Sequence, residues 1–191
     1  MNGTGASHLY IGLVHHPIYD KRREVVATAV TNFDIHDIAR CARTYGLGGF
    51  FVITPLESQA QLVERIIRHW VEGVGSSYNP TRKESLSLVQ VSRSIDEADL
   101  ELTRLWKKKV KRIATGASPD PKNIGFDSVR KLIGDRETPF LILFGTGWGL
   151  TQEVKDSSDY LLAPIEGKGY NHLSVRSAVA IILDRLLGER S

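Results

Sequence analysis

The sequence predicts an α/β fold in which a mostly parallel sheet is covered by helices on both faces. Short apolar runs alternate along the 191-residue chain with segments whose apolar residues recur at helical spacing. The runs are continuously apolar, as at residues 9–14 and 140–144, which is typical of strands buried on both faces. Because no interdomain linker is visible, we expect a single domain over residues 1–191, with residues 1–7 as a frayed tail.

Composition excludes several classes of protein. The single cysteine, Cys41, excludes an internal disulfide and any multi-cysteine metal site, and the six histidines are not spaced with carboxylates as ligand sets. We therefore expect no metal. No apolar run is long enough to cross a bilayer and the first residues lack a signal-peptide pattern, so we expect a cytoplasmic protein without membrane contact. The net charge of +3 permits a nucleic-acid partner without requiring one.

The first predicted strand covers residues 9–14, and the tripeptide His15-His16-Pro17 ends it. Residues 19–31 join a basic cluster to a β-branched run, which leaves both a strand and the approach to a helix open. Asp34 is the predicted N-cap of a helix, with these apolar residues at helical spacing behind it: Ile35, Ile38, Ala39 and Ala42. Glycines end this helix, and residues 50–53 form the second strand.

Thr54 is the predicted cap of the next helix, because Pro55 and Glu57 supply a first-turn proline and a capping-box glutamate. The predicted buried face of this helix consists of Ala60, Val63, Ile67, Trp70, Val71 and Val74. Residues 73–82 are predicted as a loop, and residues 86–91 as the third strand.

A second capping box, Ser94-Ile95-Asp96-Glu97, begins a helix whose predicted apolar residues are Ile95, Ala98, Leu102 and Leu105. The remaining predicted elements are a strand at 110–114, a loop at 117–125, a helix at 126–133, and strands at 140–144 and 160–162. A final helix carries the apolar stripe Val175, Ala178, Val179, Ile182 and Leu186.

Two glycine-rich loops follow the last two strands. The first, FGTGWGL at residues 144–150, is neither a Walker motif nor a good dinucleotide fingerprint, since its spacing is G-x-G-x-G. The second, at residues 163–174, is longer than a simple connection needs. Each loop by itself could be a plain turn, and Asn171 could simply cap the last helix. Together they would open on one sheet edge, where α/β proteins bind nucleotide-like cofactors.

These stretches resemble motifs two and three of the SPOUT-class RNA methyltransferases. GTGWGL, followed by PIEGKGYNHLSVRSAVAIILDRL, is similar to the G-x-E-x-x-G-L loop and the I-x-G loop entering an N-V-S-V-A helix in the ribose 2′-O branch. Residues 34–46, DIHDIARCARTYG, are similar to that branch's motif one, N-x-G-A-I-x-R-T-A-x-x-F-G, with Arg40, Ala42, Tyr45 and Gly46 at matching positions. The YNHLSVRSA segment points to a narrower, little-characterised subfamily.

The resemblance implies a C-terminal deep trefoil knot and a homodimer whose RNA site is shared between subunits. It also implies that S-adenosylmethionine (SAM) is bound by these residues: Thr115, Gly116, Phe144, Gly145, Gly147, Ile165, Gly167, Asn171, His172 and Leu173. Arg40 matches the arginine that assists the nucleophile, and His172 is a candidate proton acceptor, with Glu166 as an alternative. From the sequence alone, Arg40 could equally form a surface salt bridge with Asp37 or Glu24.

Three positions depart from the ribose 2′-O motifs. Asp34 replaces the asparagine of motif one, Gly147 stands at the glutamate position of motif two, and His172 stands at the asparagine position of motif three. The acceptor atom is therefore open between a base and a ribose oxygen, on tRNA or rRNA. The departures also motivate an alternative, a catalytically silent SAM- and RNA-binding module with the same fold. An unknotted, flavodoxin-like nucleotide-binding protein is a further alternative.

Basic segments are candidates for contact with RNA phosphates. Lys21, Arg22 and Arg23 follow the first strand and are the preferred RNA-binding residues. The run at residues 107–112 is a second candidate, although lysines at a helix C-terminus are favoured there by the helix dipole alone. No separate RNA-recognition domain is visible, so a partner protein could supply specificity.

Overall fold

The computed structural model describes residues 7–189 and is built on a seven-stranded, wholly parallel sheet. The strands of the described residues are β1 (Leu9–Val14), β2 (Ile18–Tyr19), β3 (Val25–Val26), β4 (Gly49–Ile53), β5 (Val89–Ser92), β6 (Lys111–Ala114), β7 (Asn123–Ile124), β8 (Phe140–Gly145) and β9 (Tyr160–Leu162). Their order in the large sheet is β5-β4-β1-β8-β6-β9-β7, and β2 and β3 form a separate antiparallel pair.

Helices connect the strands and cover both faces of the sheet. They are α1 (Asn32–Thr44), α2 (Glu57–Val71), α3 (Gly75–Tyr78), α4 (Pro80–Leu86), α5 (Ile95–Trp106), α6 (Phe126–Ile133), α7 (Gln152–Asp156) and α8 (Val175–Leu187). Ile11 and Leu13 of β1 face a core shared with α1, α6 and α8, whereas Tyr10 and Val14 face a second core shared with α5 and α7. The predicted layering is therefore observed, because continuously apolar strands require cover on both sides.

The chain reverses its direction of travel across the sheet next to β1. On one side of β1 lie β4 and then β5, which are the next strands of this sheet along the chain. On its other side lie β8, β6, β9 and β7, which come later in the chain. The carboxyl ends of β1, β8, β6 and β9 therefore lie side by side, and the segments that leave them share one edge. Such a switch point leaves a crevice between diverging connections.

Several predicted boundaries are corrected. Residues 73–82, predicted as a loop, contain α3 and the start of α4, and the third strand begins at Val89 rather than at residue 86. Two residues assigned to buried helix faces, Val74 and Leu105, are 81% and 62% exposed. The predicted tail at residues 1–7 lies outside the described residues except for Ser7.

The predicted helix caps are corrected as well. Thr31, not Asp34, caps α1, and its hydroxyl accepts a hydrogen bond from the Asp34 N–H at 3.2 Å. Leu56 rather than Thr54 occupies the cap position of α2, without a side-chain bond. Ser94 caps α5 as predicted. Ser174 caps α8, which frees Asn171 from that role.

Candidate cofactor and RNA site

A cavity of about 890 Å³ lies at the carboxyl ends of the central strands. Both glycine-rich loops line it, together with the segment that follows β6 and the segment between β1 and α1. The volume is within the range of small-molecule sites, about 300–1,000 Å³.

No helix within residues 7–189 is both long and apolar enough to cross a membrane.

The first glycine loop is a tight turn fixed by main-chain hydrogen bonds. The Gly149 N–H donates to the Thr146 carbonyl at 2.9 Å, and the Thr146 N–H donates to the Val14 carbonyl at 3.2 Å. Gly147 has a φ of +55°, and a Cβ there would lie 2.9 Å from Ile18 Cδ1. Only glycine meets both requirements without strain. The loop therefore keeps a fixed shape at the centre of the cavity.

The second glycine loop crosses the segment that follows β6. The Asn171 side-chain amide donates to the Ala117 carbonyl at 2.6 Å, and the Ala163 N–H donates to the Ile124 carbonyl at 2.9 Å. Asn171, His172 and Leu173 line the cavity together with Thr115 and Gly116, and the bond to Ala117 holds the second loop against this segment. The two loops thus enclose one space, as expected from their places in the sequence.

A strap at residues 15–31 closes the other side of the cavity. Its β2–β3 hairpin resolves the ambiguity of residues 19–31, because β3 pairs with β2 before the chain enters α1. The hairpin is bonded to the first glycine loop: the Trp148 N–H donates to the Tyr19 carbonyl at 3.0 Å, and the Tyr19 N–H donates to the Gly149 carbonyl at 2.9 Å. Arg23 stacks on Tyr19, its guanidinium carbon 4.3 Å from the ring centroid, and reaches the cavity.

This geometry agrees with a comparison against known families. The model of a family described as SAM-dependent RNA methyltransferase matches residues 8–188. The chain belongs to this family. The match confirms the predicted methyl donor, SAM, and the predicted class of activity, RNA methylation, at the level of the family.

Relatives of this methyltransferase family support the assignment. The chain is 45% identical over 183 residues to a protein of Oleidesulfovibrio alaskensis named tRNA (guanine-N(1)-)-methyltransferase; the match covers 95% of this chain and 42% of that protein. The chain therefore spans about two-fifths of that relative's length. It is also 37% identical over 180 residues to an uncharacterised protein of Aquifex aeolicus, covering 94% of this chain and 88% of that protein.

Solved structures share the fold. The A. aeolicus TrmH/SpoU tRNA modifying enzyme matches 95% of this chain and 74% of its own with a TM-score of 0.56, at 15% identity. At that identity the likeness concerns the fold alone. TrmH/SpoU proteins have the knotted SPOUT fold, so the predicted fold class, including the C-terminal trefoil knot, is confirmed. The unknotted, flavodoxin-like alternative is wrong.

The cavity brings together most of the predicted site residues of this family member. Its lining includes Thr115, Gly116, Phe144, Gly145, Gly147, Ile165, Asn171, His172 and Leu173 from the predicted donor set, and Arg23 from the predicted RNA set. Gly167 does not line the cavity; it lies in the turn between two lining residues of the second loop, Ile165 and Asn171. Lys21 and Arg22 are exposed at the tip of the hairpin.

Arg40 does not line the cavity. It lies on the exposed face of α1, and among the described residues it forms no salt bridge with Asp37 or Glu24. Asp37 instead accepts a hydrogen bond from Arg176 at 3.0 Å. The sequence-based alternative of a structural ion pair is therefore not observed.

Sequence reasoning missed several residues of the cavity. Thr28, Asp34, Trp148 and Lys155 all line it. The Asp34 carboxylate accepts a hydrogen bond from the Thr31 hydroxyl at 2.6 Å and lies 3.2 Å from the Arg176 Nε. Lys155 makes no ion pair with another described residue. Asp34 carried a signal through its place in motif one, and Trp148 lies within the motif-two loop but at a position that the motif does not specify.

A buried histidine connects the strap to the first glycine loop. His15 Nδ1 lies 3.0 Å from the Thr28 hydroxyl, which lies 2.6 Å from the Thr146 hydroxyl, and Thr146 donates to the Val14 carbonyl. Since the Thr146 proton is used there, Thr28 must donate to Thr146 and His15 Nδ1–H must donate to Thr28. His15 Nε2 is buried and has no hydrogen-bond partner among the described residues, so a second proton there would have no acceptor and the neutral imidazole is favoured.

Burial lowers the pKa of His15 from 6.5 to about 4, and the Asp34 charge only partly opposes this. Above pH 6.5 the native and unfolded chains are both neutral here. Between pH 6.5 and 4 the unfolded chain binds a proton that the native chain does not, so stability falls as pH falls. Below about pH 4 the free energy of unfolding has fallen by about 3 kcal/mol through His15, because each unit of pKa shift corresponds to about 1.4 kcal/mol.

We expect the His15→Gln variant to lose this part of the pH dependence. Chemical denaturation at several values between pH 7 and 4.5 measures it, because the unfolding free energy of the wild type should fall more steeply than that of the variant. His36→Gln serves as a comparison, since burial also lowers the pKa of His36. Parallel curves for wild type and His15→Gln would contradict the assignment.

Proposed function

We propose that this protein transfers a methyl group from SAM to a nucleotide of tRNA, as a cytoplasmic homodimer. The observation that carries the proposal is one cavity formed by both glycine loops, with a basic hairpin at its rim. Fold likeness alone would not carry function. The tRNA part rests on the name of the 45% identical relative.

The donor is proposed to lie between the second glycine loop and the segment after β6. The residues proposed to hold it are Thr115, Gly116, Phe144, Gly145, Gly147, Ile165, Gly167, Asn171, His172 and Leu173. Most of these contribute main-chain groups and apolar surface, which suit an adenosine. SAM supplies an activated methyl group, so the chain's own task is to hold the acceptor in line with it.

Proton removal is the second requirement of the reaction. When a base nitrogen or ribose hydroxyl takes the methyl group, the sulfonium becomes a neutral thioether and the acceptor loses its proton. The exposed imidazole of His172 lines the cavity and is the proposed proton acceptor. Asp34 is less suited, because its two oxygens already face Thr31 and Arg176.

Arg40 is proposed to stabilise the negative charge that develops on the acceptor. Since Arg40 is exposed and outside the cavity of its own chain, this role requires a second subunit that offers Arg40 to its partner's cavity. The proposed catalytic site is thus complete only in a dimer. A further protein could still contribute recognition of a particular tRNA.

The acceptor atom is a base atom or a ribose oxygen of the tRNA nucleotide. The match covers 42% of that protein, so the guanine-N1 activity in its name can reside in the unmatched remainder. The A. aeolicus relative, of which 88% is matched, indicates that a unit of this size occurs as nearly a whole chain. The nucleoside product of the reaction therefore identifies the methylated atom.

Transfer of labelled methyl groups tests the proposal. Bulk tRNA from cells lacking this gene, incubated with labelled SAM and the purified protein, should become labelled, and mass spectrometry of its nucleosides should identify a single new product. Guanine-N1 and ribose 2′-O methylation give different nucleosides. Bulk rRNA is the comparison substrate. No transfer together with intact binding of S-adenosylhomocysteine would favour the silent binding module, which the three motif departures motivate.

The hairpin tip provides a prediction about RNA affinity. Replacing both Lys21 and Arg22 with alanine should weaken tRNA binding and reduce the slope of log affinity against log salt by about 1–2, since each phosphate contact contributes about 0.7–0.9. Measurement of tRNA affinity between roughly 50 and 200 mM salt tests this, because affinity that depends on phosphate contacts changes strongly over that range.

Lys108 and Lys109 offer a matched basic pair. They precede β6, so they lie at the amino end of the sheet, opposite the cavity, and Lys108 pairs with Glu137 at 3.2 Å. Their double alanine variant should bind tRNA as the wild type does. Equal losses from the two double variants would remove the hairpin from the proposed RNA site.

A further inference from the structure

The cavity has two halves separated by the first glycine loop. Because β8 lies between β1 and β6, the loop that leaves β8 lies between the strap after β1 and the knot segments after β6 and β9. The half proposed for the donor is formed by the knot segments. The strap half contains Arg23, Thr28, Thr31 and Asp34, none of which belongs to the proposed donor site.

Trp148 is an exposed aromatic residue on the loop between these halves. It lines the cavity, yet its side chain is 63% exposed. The other two tryptophans are packed. The Arg82 guanidinium carbon lies 4.4 Å from the centroid of the Trp70 ring, and the Trp106 indole N–H donates to the Tyr10 hydroxyl at 2.9 Å. Trp148 thus offers an open aromatic face at the wall of the cavity, and aromatic side chains are typical of ligand sites.

Hydrogen bonds hold the main chain around Trp148, whereas its indole has no aromatic or cation–π partner among residues 7–189. The Trp148 N–H is bonded to the Tyr19 carbonyl, and the next residue accepts from the Tyr19 N–H. A single antiparallel β-bridge between Ile18 and Leu150 adds to this attachment. The indole therefore stands on a fixed base, so that stacking on it would cost little ordering of the protein.

Charge decides what the strap half can hold. Arg23 lines the cavity beside this loop. Lys21 and Arg22, which immediately precede Arg23 in the chain, are exposed. An aromatic platform next to several cations fits a nucleotide, whose base stacks and whose phosphates are anionic. A sulfonium, in contrast, would be repelled by these cations.

We infer that Trp148 is the stacking platform for the base of the tRNA nucleotide that accepts the methyl group, with Arg23 next to its phosphate. This inference rests on the proposed function. A nucleotide within a helical stem must leave its stack to enter the cavity, and the indole face replaces part of the lost stacking. The strap half is thus the acceptor subsite, and the knot half is the donor subsite.

Three variants test the assignment in the full-length protein. Trp148→Ala should weaken tRNA binding and raise the KM for tRNA by about 5-fold to 150-fold, the range that corresponds to removal of one stacked base. Trp148→Phe should keep most of the affinity. Tyr78→Ala, which removes an 84% exposed aromatic outside the cavity, should behave as the wild type. S-adenosylhomocysteine affinity, measured by calorimetry, should be unchanged in all three.

Different outcomes separate this inference from the proposed function. If the wild type transfers methyl groups to tRNA and Trp148→Ala does so with unchanged KM, the platform is refuted and the function stands. If the variant loses S-adenosylhomocysteine binding, Trp148 belongs to the donor subsite. If it dissociates into monomers in sedimentation, Trp148 is a subunit contact. No transfer and no tRNA binding by the wild type would overturn both the function and this inference.

Discussion

Replacing Gly167 with alanine is expected to abolish detectable binding of S-adenosylhomocysteine while the protein stays folded. A Cβ at this position would lie 2.1 Å from the Tyr170 carbonyl oxygen, which is main chain and cannot rotate away. The turn at residues 167–170 would have to open and displace Asn171 and Leu173, which line the cavity. A loss of at least about 100-fold, or about 2.8 kcal/mol, should follow.

Calorimetry with S-adenosylhomocysteine measures this loss, and thermal unfolding reports whether the fold persists. The turn lies at the surface, so the midpoint of unfolding should change little. Gly125→Ala is the matched control, because a Cβ at Gly125 meets nothing within 4 Å and the residue is outside the cavity. Wild-type affinity in a folded Gly167→Ala protein would show that this turn does not shape the donor site.

Replacing Arg40 with alanine is expected to lower kcat by about 100-fold to 1,000-fold, the range for loss of one group that stabilises transition-state charge. Binding of S-adenosylhomocysteine should be unchanged, because Arg40 lies outside the cavity. Stability should be unchanged as well, since the side chain is exposed. Single-turnover kinetics on tRNA measure the effect.

Arg43→Ala is the control on the same helix. Arg43 forms an exposed ion pair with Glu84, and such surface pairs contribute little. It should therefore retain wild-type kcat. An Arg40→Ala protein with wild-type kcat would remove Arg40 from the proposed mechanism.

Mixing the two inactive variants tests the shared site. In a heterodimer of Arg40→Ala and Gly167→Ala subunits, one cavity has an intact donor site and receives Arg40 from its partner. Random pairing in equal amounts should restore about a quarter of wild-type activity, because half of the dimers are mixed and each has one complete site. If Arg40 acted within its own chain, no cavity would be complete and no activity would return.

The spacing of apolar residues along the chain correctly predicted those helices and strands that depend mainly on their own residues. Residues 126–133 and 160–162 were predicted with the bounds that the structure has, because apolar spacing sets them directly. Helices α3 and α4 were missed, since they are short and depend on contacts elsewhere: Gly75 packs against Trp70, and Leu86 is fully buried. The cap of α1 was misplaced because Thr31 and Asp34 are both capable of the role.

The candidate site was predicted where glycine spacing and motifs mark it, and missed where distant segments meet. Gly145 and Leu173 carry a signal in their own neighbourhood. Trp148 carries none that separates a core residue from an exposed platform, because its exposure depends on a hairpin about 130 residues earlier. The same holds for Thr28, whose partners include the loop that begins at Gly145.

The parallel α/β fold and the two glycine loops can be predicted from the amino-acid pattern, because hydrophobic periodicity and glycine conformation act over a few residues. Three features emerge only once the chain is folded: the strap at residues 15–31 forms the second half of the cavity, Trp148 is exposed in it, and Arg40 lies outside it. Those features depend on hydrogen bonds and packing between segments more than 100 residues apart, such as Thr28 with Thr146. No local pattern in the chain specifies which of its distant segments will meet.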